Sequence, residues 1–229
     1  MNSSSKNMKI FIDTDPHGIA GISFGEKLAM SRDITTRICL GDIWDANHAR
    51  RIETHYIRGN HENDKHWLNP PKNVIYHEDY STFVLDGIKF GVLGRADPVV
   101  TQRVLEERPN LWLGHPSNRC FQIREDASQL LKGSDILLFH DTPYPFVGSG
   151  WIGGSTFLKL LLLTVKPKLV FHGHLHQLQT RRWEDTEIIG LPPIDPTYYQ
   201  QGWCTLDTQT MDVQIETQVR PKLSNASNV

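Results

Sequence analysis

The chain has 229 residues, 38% of them hydrophobic and 22% charged, the make-up of a soluble globular protein with one domain or a tight pair. Its 24 basic and 26 acidic side chains leave a formal charge of −2, so no global basic field argues for nucleic acid. Three cysteines (Cys39, Cys120 and Cys204), none in CxxC spacing, argue against a disulfide framework and against a cysteine-based zinc site.

The first residues, MNSSSKN, are polar and lead straight into a strand-like run, so no secretory signal is visible and the cytoplasm is the expected location. Met8 to Asp13 (MKIFID) reads as a buried strand, and Gly18 to Met30 is compatible with a helix. Thr35 to Leu40 (TTRICL) and Thr54 to Gly59 (THYIRG) are further strands. The middle of the chain turns to strand pairs: NVIYH, then STFVLDG and IKFGVLG, with Asp86-Gly87 as the hairpin signal. Helices are predicted at about Val99 to Glu107 and about Glu125 to Lys132. DILLF (Asp135 to Phe139) and KLVFH (Lys168 to His172) are buried strands. Between them LKLLLLTV (Leu158 to Val165) falls short of the ~20 residues a bilayer span takes and reads as a buried helix, so no membrane is implied. LQTRRWED, TEIIGL, GWCTLD and DVQIET predict antiparallel strands in the tail. No linker or repeat interrupts residues 1–229, which read as a single α/β domain with frayed polar ends at about 1–7 and 220–229.

Polar clusters sit where the buried strands end. IFIDTDPHG follows the first, LGDIWD the second and IRGNHEN the third; FHD follows DILLF, and HGHLH follows KLVF. In open α/β sheets ligands collect at the carboxyl ends of strands. The strong donors there are Asp, Asn and His. That mixture of oxygen and imidazole suits manganese, iron or zinc, and suits neither calcium nor soft copper. They outnumber the needs of one ion, so two ions are the natural reading. Asp13 competes with Asp15 as a donor, but only Asp15 has the x-His spacing with a glycine after it. His172 ends a strand and reads as a hydrogen-bonded structural histidine. His115 has no paired motif and reads as a loop residue; His48, His55, His66 and His77 read as surface or core, although His48 is near enough to Asp45 in sequence to reach the cleft.

The order Asp15-x-His17, Gly41-Asp42-x-x-Asp45, Gly59-Asn60-His61-Glu62, a lone His140 after a strand, and Gly173-His174-x-His176 resembles the calcineurin-like metallophosphoesterase superfamily, from Asp13 to Gln177. Each motif is short, but five in the right order make a specific pattern. The resemblance implies a layered sandwich of two mixed β-sheets flanked by α-helices. It implies hydrolysis of phosphomonoesters or phosphodiesters by metal-bound hydroxide at a dinuclear centre. One ion would be held by Asp15, His17, Asp42 and His176, the other by Asp42, Asn60, His140 and His174, with Asp42 as the bridge. In such a site His61 is not a ligand but stands beside the phosphate and leaving group, and Asp45 orients it. Two divalent ions against two aspartates leave a positive site for a phosphoryl oxygen, and a coordinated water ionises near neutral pH. Manganese is the first choice of metal, with iron and zinc next.

Substrate signals are thinner. The substrate is a phosphate ester; charge gives no indication of nucleic acid, and a nucleotide remains compatible. Asn60 and His61 are expected to touch the substrate, and Trp44 and Trp151 are candidates for stacking on a base or phenyl ring. Asp141 to Ser155 is Gly-rich, lacks GK[ST], and reads as a cover for the site rather than a P-loop. The run YIRGNHEN is similar to the RGNHE of Ser/Thr protein phosphatases, which makes protein phosphatase the second reading. That branch has Arg-Gly after GDxxD, where this chain has Ala46-Asn47. Arg58, Arg50 and Arg95 are the candidates to replace the missing phosphate clamp. A third reading, of a different class, is a scaffold or binding protein on the same fold; such proteins lack ligands, whereas this chain keeps the whole set.

Overall fold

The computed structural model describes residues 7–44, 48–62, 69–98, 120–143 and 154–220. Its elements in chain order are β1 (Lys9–Asp13), α1 (Ile19–Met30), β2 (Thr36–Cys39), β3 (Glu53–Ile57), β4 (Val74–His77), β5 (Thr82–Leu85), β6 (Ile88–Leu93), α2 (Ala127–Leu130), β7 (Ile136–Phe139), α3 (Thr156–Val165), β8 (Leu169–His172), β9 (Gln179–Trp183), β10 (Thr186–Gly190), β11 (Gln200–Asp207) and β12 (Val213–Val219). They form two six-stranded sheets. The first runs β12-β11-β1-β2-β3-β4, and the second β5-β6-β7-β8-β10-β9. Both are mixed. Strands β1 to β4 are parallel in the first, while β11 and β12 add on antiparallel. In the second, β6, β7, β8 and β10 are parallel, with β5 and β9 as antiparallel edges.

The side-chain period of two sorts each central strand onto two cores. Ile10, Ile12, Ile38 and Leu40 of the first sheet meet Phe90, Val92, Ile136, Leu138 and Phe171 of the second between the sheets. The alternate residues face outward. Phe11 joins Ala29 and Trp203 in a cluster that α1 helps close, and Leu137, Phe139 and Val170 lie with Leu158, Leu161 and Leu162 of α3. Both faces of these strands are buried, which is why they read as unbroken apolar runs. Each fully buried Ile, Leu or Phe contributes on the order of 1.5–3 kcal/mol.

A buried ion pair locks α1 over the first sheet. Arg37 on β2 donates to Asp13 at 2.8 Å through Nε, lies 2.7 Å from it through a terminal nitrogen, and donates to the Ile22 carbonyl at 3.0 Å. Asp13 therefore points to the helix side of the sheet, where Arg37 holds its Oδ2. Removing either partner of such a pair costs roughly 3–5 kcal/mol, because the other is left charged and buried.

Several expectations need correction. TEIIGL is not purely antiparallel: β10 pairs with β8 in parallel and only its other edge meets β9. NVIYH does not open a hairpin but closes the first sheet as a strand parallel to β3. Short strands of this kind carry no sequence mark of direction. The Leu-rich helix is amphipathic rather than buried, since Leu160 and Leu163 are exposed. The helix expected at Glu125 to Lys132 is a single turn, α2. The Asp86-Gly87 hairpin stands, with both residues at positive φ. The helix expected at Val99 to Glu107, along with His66 and His115, lies outside the described residues, as do residues 1–6 and 221–229 of the polar ends.

Away from the strand ends, His55 on β3 and His77 on β4 share a hydrogen bond of 2.8 Å, and Phe83 stacks on both rings. Burial, followed by the charge of His55, pushes His77 down to about 3. The unfolded chain takes up this proton below about 6.5 and the folded protein only below about 3, so His77 costs stability progressively as pH falls through that window. Urea midpoints of wild type and His77→Phe should therefore diverge on acidification, with the variant gaining about 2 kcal/mol on wild type between pH 7.5 and pH 5.

Candidate metal centre

The carboxyl ends of β1, β2 and β3 in one sheet and of β7 and β8 in the other open onto a single seam. The loops there are laced together by the backbone. Asp15 N–H donates to the Gly41 carbonyl at 3.1 Å, His17 N–H to Asp42 at 3.0 Å, and Gly173 N–H to His140 at 3.0 Å. Five of the predicted donors, Asp15, His17, Asp42, His174 and His176, have φ between +46° and +64°. For residues other than glycine this left-handed backbone is uncommon and costs of order 1–3 kcal/mol each. It lets a short loop bend sharply enough for side chains two residues apart to converge on the seam. In Gly173-His174-Leu175-His176 the two strained histidines flank a leucine, so both rings reach the seam from one turn.

Asp15 is completely buried and Asp42 nearly so. Thr14 Oγ1 and the His174 N–H both donate to Asp15 Oδ2, at 2.5 and 3.1 Å. Asp15 Oδ1 has no hydrogen bond of good geometry and faces His176 Nε2 at 3.3 Å and His17 Nε2 at 3.7 Å. Asp42 presents one oxygen to each side. Its Oδ1 lies 3.5 Å from His140 Nε2 and accepts the His61 N–H at 3.0 Å, while Oδ2 lies 4.0 Å from His17 Nε2 and 3.9 Å from His61 Nε2. His140 donates from Nδ1 to the Leu40 carbonyl at 2.7 Å, and its Nε2 lies 2.8 Å from the Asn60 side-chain amide. The His174 ring packs edge-on against His140, with centroids 5.1 Å apart.

These distances test whether metal ions fit. Two donors ~2.1 Å from one ion stand ~3.0 Å apart at a right angle and ~3.4 Å apart at the tetrahedral angle. Separations of 3.3 to 4.0 Å are too long for good hydrogen bonds but close to that spacing. Two groups of donors have all their ligand atoms within 4.8 Å of one another: Asp15, His17 and His176, and Asp15, Asp42 and His140. Asp15 belongs to both.

The electrostatics point the same way. Burial, and then the charge of Asp15, holds the Asp42 carboxyl well above the usual range. Burial would raise Asp15 as well, but the nearby His176 ring and the charges of His140, His176 and His17 take it below. Burial pushes His17 and His174 down, whereas His176 is raised against its burial by Asp15. Two buried carboxylates side by side resist ionising together, and His17 and His174 resist protonation. Divalent cations relieve both. The residues present thus fit the metal ions.

The other expected residues are placed as follows. His61 stands at the mouth with its side chain 34% exposed, and Trp44, half exposed, meets it at 6.1 Å and His17 at 4.8 Å between ring centroids. Glu62 accepts the Ile43 N–H at 2.7 Å and so braces the loop after β2. His172 is buried, with Nδ1 3.2 Å from the Gly173 carbonyl, and burial takes it down to about 4, in keeping with a structural part. Arg58 pairs with Glu78 at 3.3 Å and Arg95 with Asp79 at 3.6 Å, Arg50 bonds Tyr56, and nothing in these contacts singles out a phosphate clamp. Asp45, Ala46-Asn47, Trp151 and most of the Gly-rich segment, 144–153, lie outside the described residues. Two residues escaped the sequence reading. Asp195 lies 3.5 Å from His17, and the Tyr198 ring contacts His17 and His176 at 5.2 and 4.9 Å. Both follow β10, and the signal for them was IDPT after a buried run, the same strand-then-acid pattern as elsewhere.

The fold is shared with solved structures that resemble it at low identity. One is an archaeal phosphodiesterase, 15% identical with a TM-score of 0.50, covering 92% of this chain and 100% of that one. Another is GAP50, the anchor in the inner membrane complex of Plasmodium, 13% identical with a TM-score of 0.53, covering 95% and 90%. The Thermus thermophilus sulfate thiohydrolase SoxB, 12% identical with a TM-score of 0.50, covers 96% of this chain and 58% of its own. No curated protein matches the sequence at a significant level. The profile of the calcineurin-like phosphoesterases matches residues 33–178, well over half of the chain, and the protein belongs to that family. Membership supports hydrolysis of phosphoesters with divalent metal ions. The match begins after β1, so Asp15 and His17 join the site through the geometry above. Among the described residues no helix is long and apolar enough to cross a membrane.

Gly59 shows how tightly the seam is closed. A Cβ there would stand 2.1 Å from Asp42 Oδ1 and 2.3 Å from Asp42 N. Backbone cannot yield as a flexible side chain does. Gly59→Ala should therefore cost about 3 kcal/mol in urea unfolding and weaken manganese binding measured by calorimetry.

Proposed function

We propose that this protein hydrolyses phosphate esters, mono- or diesters, at a dinuclear divalent-metal centre. The observation that carries the reading is the buried pair Asp15 and Asp42, set among imidazoles at ligand-to-ligand spacing. Asp15, His17, Asp42 and His176 would hold one ion and Asp42, Asn60, His140 and His174 the other. Asp42 suits the shared position because its two oxygens face the two sides. Manganese is the first choice for this oxygen and imidazole set, with iron and zinc next. Bound ions would polarise the phosphoryl group and supply a nucleophile from water at neutral pH.

The chain's own residues do the rest. Asn60 and the histidines fix the geometry, which rests on backbone already turned into place. His61 is the general acid for the leaving oxygen: it stands at the mouth, its backbone N–H is anchored on Asp42, and its ring remains accessible. Asp45 is proposed to orient His61. Trp44 offers a ring surface to the organic part of the ester. A positioned acid of this kind is worth typically ~10²–10⁴-fold.

The test is a manganese-reconstituted screen of an aryl monoester, an aryl diester, nucleotides, cyclic nucleotides and a phosphopeptide. Turnover of at least one ester is expected. No bound transition metal together with no turnover would overturn the reading. Asp42→Ala should abolish activity, and near-normal turnover would refute a shared ligand. His61→Ala should keep its metal while slowing esters with poor leaving groups most; a fall in metal content would make His61 a ligand instead of an acid.

A further inference from the structure

We propose that Asp195 is a positioning residue for His17, holding the imidazole in the tautomer and orientation that an ion requires. The inference rests on His17 being a ligand and assigns a part to the turn after β10, which lies beyond residues 33–178 of the family match.

The turn is built to hold one carboxylate still. Its sequence, Leu191-Pro192-Pro193-Ile194-Asp195-Pro196-Thr197-Tyr198, has three prolines that fix φ. The buried Ile194 donates its N–H to the Thr14 carbonyl at 2.8 Å, which ties the turn to the loop carrying Asp15 and His17. Asp195 Oδ1 accepts from both the N–H and the hydroxyl of Thr197, each at 2.8 Å. Its other oxygen, Oδ2, is left facing His17 Nδ1 at 3.5 Å, with both side chains less than a tenth exposed.

His17 is arranged to use that oxygen. Its Nδ1 is buried without a hydrogen bond of good geometry, while Nε2 is the atom directed at Asp15 and Asp42. The rings of Trp44, His176 and Tyr198 crowd it at 4.8, 4.9 and 5.2 Å, so the imidazole has little freedom to flip. The 3.5 Å gap is about half an ångström beyond an ideal N–H···O bond, which a small ring rotation closes. A neutral imidazole binds metal through one nitrogen only if the proton sits on the other, and an acceptor there selects that tautomer. His140 shows the same device with a different acceptor, the Leu40 carbonyl at 2.7 Å. A carboxylate does more than a carbonyl, since its charge also raises the basicity of the ring.

The experiment is calorimetric titration of metal-free protein with Mn²⁺ alone. Wild type should take up two ions. Asp195→Asn and Asp195→Ala should lose roughly 10–100-fold in affinity at one of them. In a His17→Ala background, Asp195→Asn should change nothing further, a coupling that a purely structural part would not show. Thr197→Val, which loosens the turn but keeps the carboxylate, should bind both ions within about threefold of wild type, a shift far inside the range that loss of such an outer partner produces. Wild-type affinity at both sites in Asp195→Asn overturns the proposal. So does an equal weakening in Asp195→Asn and Thr197→Val with a matching fall in the metal-free melting temperature, since Asp195 would then merely hold the turn. Failure of wild type to bind Mn²⁺ at all would instead remove the metal-centre reading on which the proposal stands.

Discussion

Two carboxylates with too little positive charge around them set the terms for this molecule. Asp15 and Asp42 are buried in the seam between the sheets, and burial makes two of the neighbouring imidazoles, His17 and His174, harder to protonate. Among the described residues, the fully buried cation Arg37 is spent on Asp13, on the far side of β1. The site is therefore an electrostatic deficit that divalent ions would fill, and binding energy gained there counts as folding energy.

The backbone contributes a second strain of the same origin. The residues that aim donors into the seam occupy left-handed conformations, and the lacing of N–H and carbonyl groups between loops holds them there. Energy is stored so that the donors need not rearrange when an ion arrives. The rigid parts that bear the strain are the two layers of parallel strands. Their apolar faces are buried on both sides, and their carboxyl ends all point the same way.

Much of this was legible in the sequence. Strands β1, β7 and β8 announce themselves as apolar runs and β2 and β3 as short segments rich in β-branched and aromatic residues, and each is followed by a donor motif, so the sheet edge and its chemistry could be read together. Direction of pairing could not. β4 and β10 are short, and nothing in VIYH or TEIIG says whether a neighbour runs parallel or antiparallel. Reading β10 as antiparallel hid the fact that its carboxyl end reaches the same edge, and with it Asp195 and Tyr198. The outward leucines of α3 were missed for a related reason. A run of six apolar residues in eight looks buried until packing shows which face is covered. Roles within the site were carried by family resemblance, because the spacing of Asp, Asn and His alone does not say which donor is shared or which histidine is not a ligand.

The donors of the seam are spread along the chain, from Asp15 near its start to His176 far downstream, with Asp195 later still. Neither sheet owns a complete set. A ribosome-bound fragment holding only β1 to β4 would carry Asp15, His17, Asp42 and Asn60 but none of the imidazoles from β7 and β8. It would present two clustered aspartates and no closed cage. In the proposed centre each ion takes a histidine from the turn after β8, so neither set of donors is complete until most of the chain has emerged and the two halves have met.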